Sequence, residues 1–436
     1  MAATGHIVYI PMVKIRYLIR KIKSEIMRML SANVINKVAG FVNTMIITRL
    51  LTQNEYGLIS YTLTIYAYLQ LVTGLGLISG ALQFGTENHG NKKEYDYYKY
   101  CIRSGLLVDL ALVIIAGIIV LLYPLPIQEA KKYILAFIPI LIIEFVLSIG
   151  QSILRSQNRI DEYASVLNLN TVATTVGTCA GALLGVAGVL AGRYLAGCVS
   201  LSFELFLLRK NIREIRLAKP LVSEDKKRLW HYSLFVGASA ALNGVIYALD
   251  ITLIAELVRD TTLIGVYRVG TLLPNALQIL PSSVVVALLP TFIYHRKDMT
   301  WIKSNLRKNY TYLALCNAII CTIIIVFSPI IIRIISGEKY LPSVPVLRVL
   351  TFGYFFSGTF RVFSTNILVA FKRVYYSLFI SITSCFADVL LNIVFIKRNG
   401  MIGAAYATFF VDVLMGIISF GYVLYLVLRE KINDVD

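Results

Sequence analysis

From residue 31 to residue 425 the chain passes through one apolar run after another, each about 20 residues long. A run of that length crosses a bilayer as a helix, because a helix satisfies all of its own backbone hydrogen bonds in a medium without water. The recurrence excludes a soluble fold. Of 436 residues 57% are hydrophobic and only 15% charged, too few charges to cover a soluble surface of this size. The expected fold class is all-α integral membrane, with about twelve spans. They are read at 31–51, 57–80, 104–123, 133–153, 164–184, 187–208, 234–256, 264–290, 310–332, 346–370, 375–396 and 402–425. The fifth and sixth divide only at GVAG, between two helices rich in small residues.

The net charge of +18 would suit nucleic acid if it were spread over a surface. It falls instead in short segments between the apolar runs, the positive-inside pattern, so no nucleic-acid partner is expected. The N-terminal segment, the loops after spans two and six, and the loop after span eight (Arg296, Lys297, Lys303, Arg307, Lys308) are basic. The alternate loops hold far fewer cations, which places both termini in the cytoplasm. In residues 1–30 Ile15, Leu18, Ile19, Ile22 and Ile26 share one helical face, so a basic amphipathic helix on the membrane surface is expected there, with no signal-peptide pattern. Six scattered cysteines give neither a disulfide framework nor a zinc site. P-loop, GxSxG and HExxH signatures are absent and no loop is long enough for a catalytic domain, so no enzyme, catalytic residue or metal site is expected.

The loop around 209–230 divides the spans into two sixes, and the halves look related. SANVINKVAGFVNTMIITRL at 31 aligns with SAALNGVIYALDITLIAELV at 239, which sets Gly57 opposite Gly265. GVAGVLAGRY at 185 aligns with GMIGAAYATF at 400. Six is even, so the copies share one orientation and are related by an axis along the membrane normal, with substrate between them. The expected organisation is a basic segment at 1–30, an N-lobe at 31–208, a cytoplasmic linker at 209–233, a C-lobe at 234–428 and a tail at 429–436.

An ionisable side chain at bilayer depth is costly unless it meets a partner or water, so each is a functional candidate. The deep ones are Lys37, Glu144, Arg193, Asp250, Arg268, Arg361, Asp388 and Asp412. In span one Asn33, Asn36, Lys37, Gly40, Asn43, Thr44 and Thr48 recur on one helical face, which reads as a cavity wall or as a polar seam between helices. Span seven repeats the stripe with Ser239, Asn243, Tyr247 and Asp250, and span eleven with Ser381, Ser384, Asp388 and Asn392. Asp388 and Asn392 lie one turn apart, so with Asp250 and Asp412 they form either a proton or Na⁺ site or a hydrogen-bonded network with Arg361 as counter-charge. Arg268 follows Gly265 by three residues in a helix broken by Pro274 and Pro281. It either snorkels to the interface or faces a cavity, where a diphosphate is the obvious anion. Tyr61, Tyr66 and Tyr68 are read as interfacial rings or as platforms for sugars.

In these features the chain resembles the polysaccharide-transporter flippases of the multidrug/oligosaccharidyl-lipid/polysaccharide exporter (MOP) superfamily, which include O-antigen and capsule-unit flippases. The resemblance rests on ITRLLTQNEYGLISY, GVYRVGTLLPNALQ, SGEKYLPSVPVLRVL and NIVFIKRNGMIGAAYAT, in that order. It implies two pseudo-symmetric six-helix lobes around a V-shaped cavity, in a bacterial plasma membrane. It also implies flipping of undecaprenyl-diphosphate-linked oligosaccharide to the outer leaflet by alternating access, with polymerase and chain-length proteins as pathway partners. The more distant lipid II flippases carry a basic residue followed by V-x-G-F in the first helix, then I-x-x-R. Here that reads Lys37-Val38-Ala39-Gly40-Phe41, then Ile46 and Arg49. Their cavity cation falls on Lys37, a second basic residue falls on Asn43, and their eighth-helix arginine falls near Thr271, one turn from Arg268. Their cation site uses helices seven, eleven and twelve, the helices of Asp250, Asp388 and Asp412, with the order of Asp and Asn reversed in helix eleven. The implied diphosphate contacts are Lys37, Arg268, Asn33, Asn36, Asn43 and Arg361; the implied cation-coupling residues are Asp250, Asp388, Asn392 and Asp412. No cofactor is expected beyond coupling H⁺ or Na⁺. A drug or metabolite exporter of the same superfamily is the nearest rival reading, followed by a membrane glycosyltransferase or polymerase.

Overall fold

The computed structural model describes residues 36–295, 298–371 and 373–429. The expected amphipathic segment at 1–30, Asn33, residues 430–436 of the tail and the side chains of Asn243, Tyr247 and Ser381 lie outside the described residues. Those described are overwhelmingly helical, with no strand among them. In the N-lobe, α1 (36–50), α2 (Gln53–Val72), α3 (Leu77–Glu87), α4 (Lys93–Leu122), α5 (Ala130–Phe137), α6 (Ile140–Ser156), α7 (Ile160–Ala182) and α8 (Gly185–Leu207) follow one another. A short α9 (Arg209–Leu217) leads to α10 (Ser223–Val258), α11 (Thr261–Leu277), α12 (Ile279–Tyr294), α13 (Met299–Ser336), α14 (Val344–Phe356), α15 (Val362–Ala370), α16 (Val374–Asn399) and α17 (Met401–Leu428). Among the described residues seven helical segments are long and apolar enough to cross a membrane on length and composition alone. The other crossings, α7, α10, α14–α15 and α16, carry the polar stripes and breaks that lower their mean hydropathy, and α1 is described only over 36–50.

Local chemistry sets the boundaries. Thr52 and Glu55 close a reciprocal capping box that starts α2, and the Asp260 carboxylate caps the amides of Thr262 and Leu263 to start α11. The last helix of each lobe starts beside a left-handed glycine, Gly185 at φ 74° and Gly400 at φ 59°, at aligned positions of the two halves. The close division of spans five and six is a helical hairpin. Gly177 and Gly181 of α7 face Gly192 and Gly188 of α8 so closely that a Cβ on any of them would enter the opposite backbone.

Several spans are broken. The second is interrupted at Thr73–Gly76, where Gly74, Leu75 and Gly76 all take positive φ (58°, 45° and 81°). Asp109 of α4 holds the break by accepting the Gly74 N–H at 2.7 Å. The eighth breaks at Gln278, between Pro274 and Pro281, and the tenth passes through a π-helical turn at Ser357–Arg361.

Three apolar cores give the molecule its shape. One joins α2, α5 and α8 to α10, α11 and α14 across both lobes. The second belongs to the C-lobe, around Phe363, Phe371 and Met415. The third belongs to the N-lobe together with the start of α10, around Phe84, Tyr98, Phe145 and Leu229. The lobes are thus fused at the end where α1 finishes and α2 begins, called here the closed end, and have separate cores toward the other end. That is a V. At the closed end Gly57 of α2 lies against Thr261 and Gly265 of α11, so two glycines at equivalent positions of the repeats meet at the seam. The boundary expected at 233/234 falls inside α10, whose first turns pack on the N-lobe and whose later turns belong to the C-lobe. Lys93 pairs with Asp225 at 2.9 Å and Arg228 with Glu87 at 3.2 Å at that first part.

Candidate functional site

Within the V lies a cavity of about 580 Å³, walled by residues of α1, α2, α7, α8, α10, α11, α14, α16 and α17. Its walls present three guanidinium groups and three carboxylates at bilayer depth.

The cations differ in how they are compensated. Arg361 follows from the π-helical turn and pairs with Asp412 of α17 at 2.9 Å, so its charge is spent within the C-lobe. Arg268 projects from α11 and reaches Tyr56 of α2 across the seam. Arg193 of α8 lies 5.6 Å from the Phe137 ring centre and 6.0 Å from that of Tyr66, a cation–π shelf that orients the guanidinium without neutralising it. Neither Arg193 nor Arg268 has an ion-pair partner among the described residues. The wall therefore carries two cations without an ion pair of their own among the described residues, one from each lobe, and both line one space.

The carboxylates belong to the C-lobe. Asp250 accepts hydrogen bonds from the Tyr267 hydroxyl at 2.5 Å, the Thr408 hydroxyl at 3.1 Å and the Asn392 amide at 3.1 Å. Asn392 also donates to the Asp388 carbonyl at 3.0 Å. The amide nitrogen of Asn392 is spent on these two bonds, while its side-chain oxygen is buried with no hydrogen-bond partner. Asp388 is 4% exposed and faces the cavity. No group of three His, Cys, Asp or Glu side chains close enough to hold a metal ion occurs among the described residues. Asp250, Asp388 and Asp412 line one wall, Asp250 held by its hydrogen bonds and Asp412 by Arg361.

The remaining residues singled out from sequence are placed as follows. Asn43 lines the cavity and accepts from Thr178 of α7 at 2.8 Å and from the Cys179 thiol at 3.2 Å, so the polar face of α1 serves partly as a helix seam. Lys37 is exposed on α1 and, like Asn36, is not among the cavity residues. Among the described residues the cation facing the cavity from the N-lobe is Arg193, five helices further along the membrane crossing order. Tyr61 and Tyr66 are buried in the core that joins the lobes, and Tyr68 bonds Thr252 of α10 at 3.0 Å; none of the three lines the cavity. Sequence reasoning passed over three buried carboxylates, Glu94, Asp109 and Glu204. Asp109 holds the break in the second span, and Glu204 of α8, 1% exposed, packs its carboxyl against Gly150.

Residues 46–345 match the sequence profile of a family described as polysaccharide biosynthesis protein. No curated protein sequence matches. The fold is similar to that of the lipid II flippase MurJ in an inward closed conformation, with TM-score 0.72 and 18% identity over 92% of this chain and 87% of that one. It is also similar to an inward-facing multidrug resistance MATE family transporter of the MOP superfamily, with TM-score 0.70 and 13% identity over 94% of this chain and 99% of that one. A MOP superfamily transporter from Pyrococcus furiosus gives TM-score 0.55 and 13% identity over 93% and 94% of the two chains.

Proposed function

Since the chain belongs to the polysaccharide biosynthesis protein family and has the fold of MOP superfamily transporters, we propose that it flips a lipid-linked oligosaccharide across the membrane and grips it by its diphosphate. The observation that carries this reading is the pair of guanidinium groups without an ion pair of their own among the described residues, Arg193 and Arg268, facing one cavity from opposite lobes. Arginine's planar fork matches a phosphate with two parallel hydrogen bonds, and in a water-poor cavity each such charge-assisted bond is strong. An anion held between the lobes neutralises both cations at once, so loading favours the arrangement in which the lobes are drawn together around it.

In this reading the substrate is an undecaprenyl-diphosphate-linked repeat unit of O-antigen, capsule or a related polysaccharide. It moves from the cytoplasmic to the outer leaflet of a bacterial plasma membrane, with both termini of the protein cytoplasmic and the polymerase and chain-length proteins acting afterwards. The linker at 209–233 then lies on the cytoplasmic side and the closed end faces out. Asp388, with Asp250 and Asp412 nearby, is the group placed to exchange a coupling proton or Na⁺ with the cavity. A second reading, export of a cationic drug or metabolite, draws on the same acidic wall. It leaves Arg193 and Arg268 without a role.

The test is the sidedness of lipid-linked repeat units in cells lacking the protein, read with a lectin or a periplasmic enzyme. Wild type is expected to restore outer-leaflet units. Arg193→Gln and Arg268→Gln should each lose about 1.5–3 kcal/mol of anion binding, roughly tenfold to a hundredfold, and the double variant should fail to restore export. Lys37→Gln should restore it. Full rescue by the double glutamine variant would sink the diphosphate grip.

A further inference from the structure

The closed end is fastened by contacts that have no place in gripping a ligand. Helix α13 ends at Ser336, and the amide of Gly337 bonds back to the carbonyls of Ile332 and Arg333 at 3.2 and 3.1 Å. The next carbonyls, Ile334 and Ile335, have no amide to take them within the helix. Both are taken by Arg49, at the end of α1 in the other lobe: its Nη2 donates to Ile334 and its Nε to Ile335 at 3.4 Å. The favour is returned. Lys339, three residues beyond the end of α13, donates from Nζ to the carbonyls of Arg49 (3.1 Å) and Leu51 at the end of α1. Thr48 bonds Ser336 hydroxyl to hydroxyl at 3.1 Å, and Gln53 donates to the Lys339 carbonyl. Glu338, the nearby acid, is paired with Arg333 at 3.3 Å, so the acceptors of Lys339 are helix ends.

A cation at a helix C-terminus is stabilised both by hydrogen bonds and by the partial negative charge of the last turn. Here each lobe supplies the cation for the other lobe's helix. We propose that Arg49 and Lys339 form a reciprocal capping latch between the lobes, and that the segment 337–343 releases α1 when the cavity opens at the closed end. The latch differs in kind from the Gly57–Gly265 seam beside it. Arg49 and Lys339 are exposed, so when the lobes part each cation and each carbonyl is taken over by water. The contact is therefore made and broken at little cost, as a gate requires, whereas the glycine seam holds backbone against backbone.

The test uses the full-length protein in sealed membranes, with its six cysteines replaced and one thiol introduced in the cavity by Ala67→Cys. The rate of labelling by a membrane-impermeant maleimide, applied on the side of the closed end, reports opening there. Arg49→Met together with Lys339→Met keeps the stems and removes both caps, and labelling should become about tenfold faster. Lys339→Arg by itself, which keeps a cation at the cap, should label at the parent's rate. A disulfide between Thr48→Cys and Ser336→Cys should abolish labelling in the methionine variant, and reductant should restore it. Unchanged labelling in the methionine variant, or labelling that persists through the disulfide, overturns the latch. No substrate enters the measurement, so its outcome is independent of the diphosphate reading.

Discussion

At Asp225 a single carboxylate ties the start of α10 to the N-lobe. The Lys93 ammonium lies 2.9 Å away, the Tyr97 hydroxyl donates at 3.0 Å, and together they hold the carboxyl below its ordinary value of 3.8. A carboxylate with a lowered folded value stabilises the fold at every pH above the ordinary carboxylate range, and the contribution fades only as pH falls through the lowered value. The ammonium is about half exposed and water screens the pair, so the effect is small, at most about 0.5–1 kcal/mol. Trp230 reports on it, because its indole N–H bonds Tyr100 at 3.0 Å beside this tie. With Trp301→Phe leaving one tryptophan, the emission of Trp230 should be flat from pH 7 to about 4 and change below that. In Asp225→Asn the acid step should vanish; a step of equal size there would assign it elsewhere. The residue scale is also where the sequence was least legible. Arg193 stands out as a deep charge, yet nothing in GVLAGRYLAG shows that Phe137 and Tyr66 will aim it at the cavity. Lys37 matches a family pattern in a helix whose stripe is real, since Asn43 and Thr44 do reach the cavity. A helical period assigns a side to each residue but not the depth at which a neighbouring helix stops covering it.

Elements were easier to read than residues, because length and hydropathy act over a whole turn or more. The broken eighth span is written in Pro274 and Pro281, which remove backbone donors. The break in the second span is written less plainly, in Thr73-Gly74-Leu75-Gly76. Its support comes from Asp109, a remote carboxylate with one oxygen on the Gly74 amide and the other buried without a partner. An acceptor is needed at that place and a charge is not. Asp109→Asn, whose amide oxygen still accepts, should therefore retain activity, whereas Asp109→Leu orphans a buried N–H, a penalty of about 1–3 kcal/mol. Repeat-unit sidedness in cells and thermal stability in detergent check both variants together. Loss of transport by Asp109→Asn in a protein as stable as wild type would show that the proton matters more than the acceptor. The π-helical turn at Ser357–Arg361 had no sequence signal, nor did the pairing of Arg361, at its end, with Asp412 of the facing helix.

On the scale of the whole molecule the repeat is the legible feature. An offset between the halves that stays near constant foretold two lobes of one orientation. It did not foretell that one apolar core would run through both. That core makes the chain connection between the lobes dispensable once folded. A protease site placed between Lys219 and Pro220 and cut in detergent should yield two fragments that stay together through size exclusion; separation on cutting would mean that the connection carries the join. The linker itself is not a hinge. Ser223–Val258 is one uninterrupted helix whose first turns are tied to α3 and α4 by Arg228–Glu87 and Asp225–Lys93 and whose last turns pack on α16 and α17 of the other lobe as well as on α2. A rod clamped at both ends cannot let its supports swing freely. Any rocking of one lobe on the other must either flex this rod, near Gly237 and Gly244 where it touches Gly76 and Leu71, or pull its first turns from their clamp. In mechanical terms α10 is a leaf spring. A bend in it would store elastic work that straightening returns, so the stiffness of α10 opposes any parting of the lobes.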